Sequence, residues 1–389
     1  MRASRLLWAS VSAVLLTSLL FPAAAHAQPC IAVFGIPYPS INAALAAVGP
    51  GPGTISVTGI CLESVQINNA RSITIDGSGG ANVVEPTDQD AFDISLSQDI
   101  HIMNLDISTT GPDAIGVNIS EASDVHIAGC NIHNNQSGGV GVEASALFLR
   151  DTTIQYNTPF DGLDVFDNST VRVVGSTIQF NGSLGTGGTA GVFVGRNSDV
   201  FFGGNQMSFV QYNADMGIED RNLSNVVTGA GGITIQGNGT NGIAVETGAH
   251  LQVNSPRTFI QNNGGACPLD PTCGGIFATQ DSTVTLDVGM VTGNQGSGVS
   301  VQQGANLSVG AGSPALGTAT VSNNTGDGIH LQYISTMKIN PGNSITGNGG
   351  KSVFCDTTSL AVGDLSGFSN VNCAQVARPN GPPRPVRSR

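Results

Sequence analysis

Apolar positions recur along this chain in a short motif that repeats from Ile132 towards the C-terminus. The motif is an aliphatic residue, two spacers and an asparagine, followed within several residues by Gly-aliphatic-x-aliphatic. Successive asparagines are 22 to 32 residues apart, a period typical of solenoids and not of single-core domains. These asparagines are Asn135, Asn157, Asn181, Asn213, Asn238, Asn263, Asn294, Asn324 and Asn348.

Two kinds of short strand fill most of the repeats. One has the form aliphatic-x-aliphatic, as in residues 125–127, and the other follows the glycine, as in residues 163–165. Period-two alternation turns the aliphatic side chains to one face and the intervening residue to the other. With Gly- and Asn-containing bends between the strands, the pattern predicts an all-β fold, a right-handed parallel β-helix of roughly 11–12 coils.

The asparagine column has a physical reason in such a fold. Equivalent residues of adjacent coils lie about 4.8 Å apart, so each amide can bond to the next and form an internal ladder. We predict a structural role for these residues, and interpret Tyr156 and Tyr212 beside them as bend residues. A second, partial ladder is predicted for Gln155, Gln179, Gln211, Gln236 and Gln261.

The two ends of the repeat region carry capping signals. Residues 41–48, with Ser40 as N-cap and Gly49-Pro50 after them, predict a short N-terminal helix that covers the first coil. Residues 355–373 break the period and predict the opposite cap. Residues 377–389, rich in Pro and Arg, predict a disordered tail.

The N-terminus predicts export. Arg2 and Arg5 precede an apolar stretch over residues 6–21, and Ala25-His26-Ala27 fits a signal-peptidase site. Residues 1–27 are therefore expected to be removed, leaving the β-helix with its caps over residues 28–376. No later apolar run is long enough to span a bilayer, so we expect a periplasmic, cell-surface or secreted protein.

Cysteine usage agrees with an oxidising destination. Proximity along the chain predicts the pairs Cys30–Cys61, Cys267–Cys273 and Cys355–Cys373. Cys130 is left over, and its place in an ordinary repeat favours a buried apolar filler over a reactive thiol.

The charge balance excludes some partners. Residues 28–376 hold eight Lys and Arg against all 27 Asp and Glu, a net charge of −19. Such a surface repels nucleic acid and anionic membrane. An acidic polysaccharide would need a cation bridge or one of the few basic positions.

A resemblance follows from the opening segment. The capping helix, then Gly53-Thr-Ile-Ser-Val57, Gly59-Ile-Cys-Leu-Glu63 and Ile73-Thr-Ile-Asp-Gly77, resembles the start of the pectin-lyase-like superfamily of right-handed β-helix proteins. The resemblance covers nearly all of the mature chain but implies only the fold, because this scaffold carries lyases, hydrolases, esterases, epimerases and members without known activity. Polygalacturonase, pectate lyase, pectin methylesterase and alginate epimerase motifs are absent from the body of the chain.

One acidic constellation emerges when the coils are aligned at the glycine step. Three outward carboxylates are accompanied by two arginines of the following coils: Asp161, Asp164 and Asp167, with Arg196 and Arg221. Such a group could be a solvated, partly ion-paired flank, a Ca²⁺ site built from oxygen ligands, or the acid and base of a carbohydrate-active enzyme. The solvated flank is the interpretation that we favour from the sequence. Asp327 and His330 are interpreted as surface residues.

A second column predicts a stripe of rings and a guanidinium along the rod. It consists of His101, His126, Phe148, Arg172 and Phe201, each at the middle position of its strand. These groups pack against sugar rings and bind carboxylates. The sequence therefore favours an exported protein that binds polysaccharide or another extended ligand. The alternatives are a polysaccharide lyase, hydrolase or epimerase at the acidic face, and a structural spacer or adhesin.

Overall fold

The computed structural model describes residues 29–184, 188–267, 270, 272–310, 317–363, 365–373 and 376–377. The predicted signal peptide and nearly all of the predicted tail lie outside these residues. Within them the chain coils into a parallel β-helix of about 12 turns, as the repeat predicted.

Each regular coil contributes one strand to each of three parallel sheets. The first sheet has 13 strands: Val65–Asn68, Phe92–Ser95, Ile115–Ser120, Gly138–Glu143, Leu163–Phe166, Ala190–Val194, Met216–Asp220, Asn241–Val245, Gly274–Ala278, Ser297–Val301, Ile329–Leu331, Val353–Cys355 and Val371–Asn372.

The second sheet contains the strands that follow the first sheet in each coil. They are Gly53–Thr58, Ile73–Glu85, Ile100–Thr109, Asp124–Ala128, Ala146–Arg150, Thr170–Val174, Asp199–Phe202, Asn225–Thr228, His250–Val253, Thr283–Leu286, Asn306–Val309, Thr336–Ile339, Leu360–Gly363 and Val376–Ala377.

The third sheet completes the coil. Ile73–Glu85 and Ile100–Thr109 are long enough to continue into it, and its own strands are Ile60–Leu62, Asn131–His133, Thr153–Gln155, Thr177–Gln179, Ser208–Gln211, Ile233–Gln236, Thr258–Gln261, Gly289–Thr292, Ala319–Ser322 and Ser344–Thr346.

The N-terminal cap consists of a hairpin and a helix. Strands Ile31–Phe34 and Ile36–Tyr38 pair antiparallel, and Ile31–Phe34 also pairs antiparallel with Gly53–Thr58. Helix Ile41–Val48 begins at the predicted N-cap, where the Ser40 hydroxyl accepts the Ala43 N–H at 3.0 Å. The carboxylate of Glu63 accepts the N–H groups of the first two helical residues, Ile41 and Asn42. An anion at a helix N-terminus is favourable, so Glu63 fixes this cap on the first coil.

The interior is a column of aliphatic side chains on the inward positions of all three sheets, as the alternation predicted. At one bend the nine asparagines form the expected ladder of eight bonds, in which the Nδ2 of each of the first eight donates to the Oδ1 of the next coil at 2.7–3.1 Å. The glutamines form the second ladder at 2.8–3.0 Å, from Gln155 to Gln261. The buried asparagine amides also donate to backbone carbonyls of the preceding coil, as Asn181 does to Ile154 at 3.1 Å. Because buried amides need these partners, the ladders fix the register of the coils.

The cysteines are arranged as the sequence predicted. The structure contains the disulfides Cys30–Cys61, Cys267–Cys273 and Cys355–Cys373. Cys130 is free and buried, and burial raises the pKa of its thiol to about 11. A thiol in this state is inert, in agreement with a filler role. No helix among the described residues is long and apolar enough to cross a membrane.

Candidate active site

The outer face of the first sheet carries one register position that includes Asp164. Strand pairing aligns Asn118, Gly141, Asp164 and Phe193 there in successive coils. Gly141 thus occupies the equivalent position in the coil directly before that of Asp164. A Cβ added to Gly141 would meet only Asn118 and Ile115, at 3.6 and 3.7 Å, so the missing side chain leaves open space.

This space is part of a pocket of about 210 Å³. Phe160, which is 48% exposed, forms one wall, and two carboxyl groups point into the same pocket. Its full lining is Ile115, Ser137, Gly138, Val140, Gly141, Phe160, Asp161 and Asp164. The sequence identified the two acids but not Gly141 or Phe160. The feature of the sequence that could have predicted the pocket is Gly141, a glycine at an outward position between Asn118 and Asp164 of the adjacent coils.

Asp161 stands at the bend that leads into strand Leu163–Phe166. Its Oδ1 accepts the backbone N–H of Ala190 in the next coil. Burial, aided by the nearby Asp164, raises the pKa of this carboxyl to about 7, although the Ala190 hydrogen bond and Arg221 oppose the shift.

Asp164 projects outward from the middle of the same strand. Its Oδ1 has no contact with solvent and no hydrogen-bond partner among the described residues. Burial raises the pKa of this carboxyl to about 6, and Arg196 opposes the shift. Both aspartates keep part of their surface exposed at the pocket while the surrounding protein crowds their carboxyl groups. The solvated, partly ion-paired flank that we favoured from the sequence therefore does not describe Asp161 and Asp164, which are only partly exposed.

The third acid of the predicted constellation lies apart from this pocket. Asp167 follows the strand at a bend with φ 56°, and its carboxylate pairs with Arg196 at 3.2 Å. Among the described residues, one group of three potential metal ligands converges, Cys30, Cys61 and Glu63, and its two cysteines form a disulfide. Asp161, Asp164 and Asp167 do not converge in this way, so a Ca²⁺ ion would have to draw them together.

Arg221 is engaged by acids of its own and the next coil. Its guanidinium contacts the buried Glu219, and its Nε lies 3.4 Å from Glu246. Asp220, between Glu219 and Arg221 in sequence, points into the rod instead. It is fully buried in register with Val194 and Val245, and its two oxygens have no hydrogen-bond partner among the described residues.

The predicted ring column lies on the second sheet and is in register throughout. The His101 and His126 rings are 4.6 Å apart, and Phe148 meets His126 edge-on at 5.6 Å. The Arg172 guanidinium lies 5.7 Å from the Phe148 ring and 5.8 Å from the Phe201 ring, so it sits between them. This column is on a different sheet from the Asp161–Asp164 pocket.

The interpretation of Asp327 and His330 as surface residues is wrong. His330 is 9% exposed, and its ring stacks on Phe354 at 4.5 Å. Its Nδ1 lies 2.6 Å from the Asp327 carboxylate, which also accepts the backbone N–H of Lys351. These contacts give Asp327 and His330 a structural role between coils.

Comparison with protein-family models supports the fold. Residues 55–219 match the family model described as "Right handed beta helix region". Among solved structures, the chain is similar to the A-modules of two mannuronan C-5 epimerases of Azotobacter vinelandii. For AlgE4 the identity is 14%, the TM-score 0.46, and the coverage 83% of this chain and 95% of that one. For AlgE6 the identity is 13%, the TM-score 0.44, and the coverage 80% of this chain and 94% of that one. No curated protein matches the chain.

Proposed function

We propose that this right-handed parallel β-helix protein is an exported enzyme that cleaves a polysaccharide by general acid–base catalysis at Asp161 and Asp164. The observation that carries the proposal is their placement in one pocket, where burial raises their pKa values to about 7 and about 6. Two carboxyl groups in one pocket whose pKa values are raised towards neutral pH are a usual arrangement for acid and base roles.

The roles follow from the contacts. Asp161, with the higher pKa, keeps its proton longer, and because Oδ1 accepts the Ala190 N–H, Oδ2 is the oxygen that carries the proton. It protonates the glycosidic oxygen as the C–O bond breaks. Asp164, with the lower pKa, is ionised and takes a proton from the water whose oxygen bonds to the sugar carbon.

The charges around the pocket favour an uncharged glycan. Arg196 is paired with Asp167, and Arg221 with Glu219 and Glu246, so neither guanidinium is free to neutralise a uronate. The net charge of −19 over residues 28–376 repels a polyanion. Hydrolysis of a neutral polysaccharide is therefore favoured over lyase or epimerase chemistry on a uronate. Export is supported by the three disulfides, which persist in oxidising compartments.

The test is product formation from a panel of neutral and acidic polysaccharides. We expect new reducing ends from a neutral glycan, and a loss of about a hundredfold or more in kcat for Asp164→Asn. Asp281→Asn, at an exposed bend of another coil, is the matched control and should keep full activity. Unsaturated products from a uronate would redirect the assignment to a lyase. Equal activity in Asp164→Asn and wild type would refute the proposed site.

A second candidate is recognition of an acidic glycan on the ring column without catalysis. The supporting observation is Arg172, held between two phenylalanine rings and without an ion-paired carboxylate among the described residues. A groove of about 290 Å³ beside it is lined by Phe148, Arg150, Arg172, Val174, Gly204, Asn205 and Gln206. Salt-sensitive retention on polygalacturonate that Arg172→Ala abolishes would support this candidate. Unchanged retention in that variant would contradict it.

A further inference from the structure

The residue before each ladder asparagine has a left-handed backbone conformation. In the nine coils from Asn135 to Asn348 this residue has φ between 54° and 68°. Six of the nine are Asn or Gly, the residue types that adopt this conformation at least cost. The other three are consecutive and aromatic: Tyr156, Phe180 and Tyr212, with φ 56°, 56° and 54°. We call these three residues the aromatic strip.

Backbone preference does not explain the strip. A bulky side chain at positive φ is an outlier, and the same bend accepts Asn in other coils, as at Asn134 and Asn262 with φ 56°. Core packing does not explain it either, because Tyr156, Phe180 and Tyr212 are 49%, 38% and 47% exposed. Exposed strain of this kind is a reason to look for a function.

The strip has an ordered geometry. The Tyr156 and Phe180 rings are 5.1 Å apart with an interplanar angle of 6°, and the Phe180 and Tyr212 rings are 5.6 Å apart at 13°. These distances between ring centroids are larger than the thickness of an aromatic ring. The neighbouring rings therefore leave part of each ring's edge and face uncovered. The Tyr212 ring extends over Gly237, where a Cβ would come within 2.5 Å of it. The result is a narrow apolar surface along the rod.

Amide groups flank this surface. Gln155, Gln179 and Gln211 immediately precede the three aromatic residues, and their side chains bond to one another at 2.8–3.0 Å while remaining partly exposed. Each amide in such a ladder uses one N–H and one lone pair, so it keeps a second donor and a second acceptor. Rings beside a row of amides suit a sugar chain, which has apolar C–H faces and a rim of hydroxyls.

The strip and the pocket share a coil. Tyr156 lies in the coil that supplies Asp161 and Asp164. Phe160, in the loop between Tyr156 and Asp161, lines the pocket and is 48% exposed. We propose that the aromatic strip is the docking surface for an uncharged polysaccharide, and that Phe160 continues this surface into the pocket. The identification of the bound chain as the substrate rests on the proposed function.

The test is affinity electrophoresis in gels containing a neutral polysaccharide, with laminarin, xyloglucan, galactomannan and hydroxyethylcellulose as the four probes. The variant is Tyr156→Asn, Phe180→Asn and Tyr212→Asn combined, which installs the residue that other coils carry at the same φ. We expect at least one probe to retard the wild type, and the triple variant to bind it about tenfold more weakly with an unchanged melting temperature. Tyr333→Asn is the matched control, because Tyr333 is also exposed with φ 53° but lies in another coil, and it should bind normally.

The outcomes separate this inference from the proposed function. Asp164→Asn should lose turnover and keep retention, whereas the triple variant should lose retention. No retardation by any of the four probes, or equal retardation of wild type and triple variant, overturns the docking surface. A triple variant that melts far below the wild type and binds equally would show that the strip is purely structural. Retention by the strip without turnover of any glycan would leave docking intact and refute the enzyme.

Discussion

Replacing Asp220 with valine should stabilise the protein. Asp220 is fully buried on an inward position, and the residues in register with it in the adjacent coils are Val194 and Val245. Asp220→Val therefore continues an existing valine column with a side chain of similar size. Such a swap adds no large steric demand to the core.

The magnitude has two sources. A buried polar group without a hydrogen-bond partner costs about 1–3 kcal/mol. Full burial of a valine side chain contributes about 1.5 kcal/mol or more. We expect a net gain of about 2–4 kcal/mol near neutral pH, which at about 1.4 °C per kcal/mol for a chain of this size raises the melting temperature by roughly 3–6 °C.

The gain should depend on pH. Burial raises the pKa of Asp220 well above 3.8 in the folded protein, and the nearby Asp199 raises it further. As pH rises above about 4, the unfolded chain loses this proton while the folded protein keeps it, so stability falls until the folded-state pKa is reached. Asp220→Val removes this loss, and its advantage over the wild type should be larger at about pH 7 than at about pH 4.

Differential scanning calorimetry of wild type, Asp220→Val and Asp220→Asn at both pH values is the assay. Asp220→Asn keeps a buried polar group but has no titrating proton. Its unfolding free energy should therefore lose the pH dependence that Asp220 causes, and at neutral pH it should rise by less than in Asp220→Val. A destabilised Asp220→Val protein, or the same gain at both pH values, would refute the reasoning.

Three further predictions concern the site and the ladder. Carboxyl carbon NMR should show Asp161 and Asp164 titrating near pH 7 and 6; titration of both near 3.8 would mean that the pocket is hydrated. Added Ca²⁺ should leave the melting temperature unchanged, since the three acids do not converge; a rise that disappears when Asp161, Asp164 and Asp167 are changed to Asn would establish a calcium site. Asn181→Ala should lower the unfolding free energy by about 3 kcal/mol or more, because Asn181 bonds to Asn157 and Asn213 in the buried ladder; a change below about 1 kcal/mol in urea unfolding would contradict this.

The coil architecture could be predicted from the sequence because its signals are periodic. The alternation of the strands, the asparagines and the Ser40 N-cap each act locally or at one fixed spacing, and the structure places them as expected. The disulfides followed from proximity along the chain because each closes a short segment, two at the caps and one in a loop of the rod.

The pocket could be predicted only in part. Asp161 and Asp164 were identified as outward acids, but the pocket that they share is formed with Gly141 and Phe160. Gly141 joins them through the pairing of its strand with Leu163–Phe166, which no local pattern specifies. Asp167 was grouped with them by spacing, yet the chain bends before it and turns it towards Arg196.

Asp220 and the aromatic strip show a different limit. Asp220 occupies an inward position in the structure, and because an acid there contradicts the hydrophobic rule, its burial without a partner could not be predicted from the alternation. Tyr156 and Tyr212 were correctly placed at bends. Their stacking through Phe180 and their exposure became visible only when coils of 24 and 32 residues were brought into register.

The central claim is that Asp161 and Asp164 work as an acid and a base in one pocket. The most direct test is the pH dependence of kcat/KM for hydrolysis of the glycan that the protein cleaves. Catalysis by this pair predicts a bell-shaped profile with apparent pKa values near 6 and 7, loss of the acidic limb in Asp164→Asn and loss of the alkaline limb in Asp161→Asn. A profile whose two limbs both survive in these variants would contradict it.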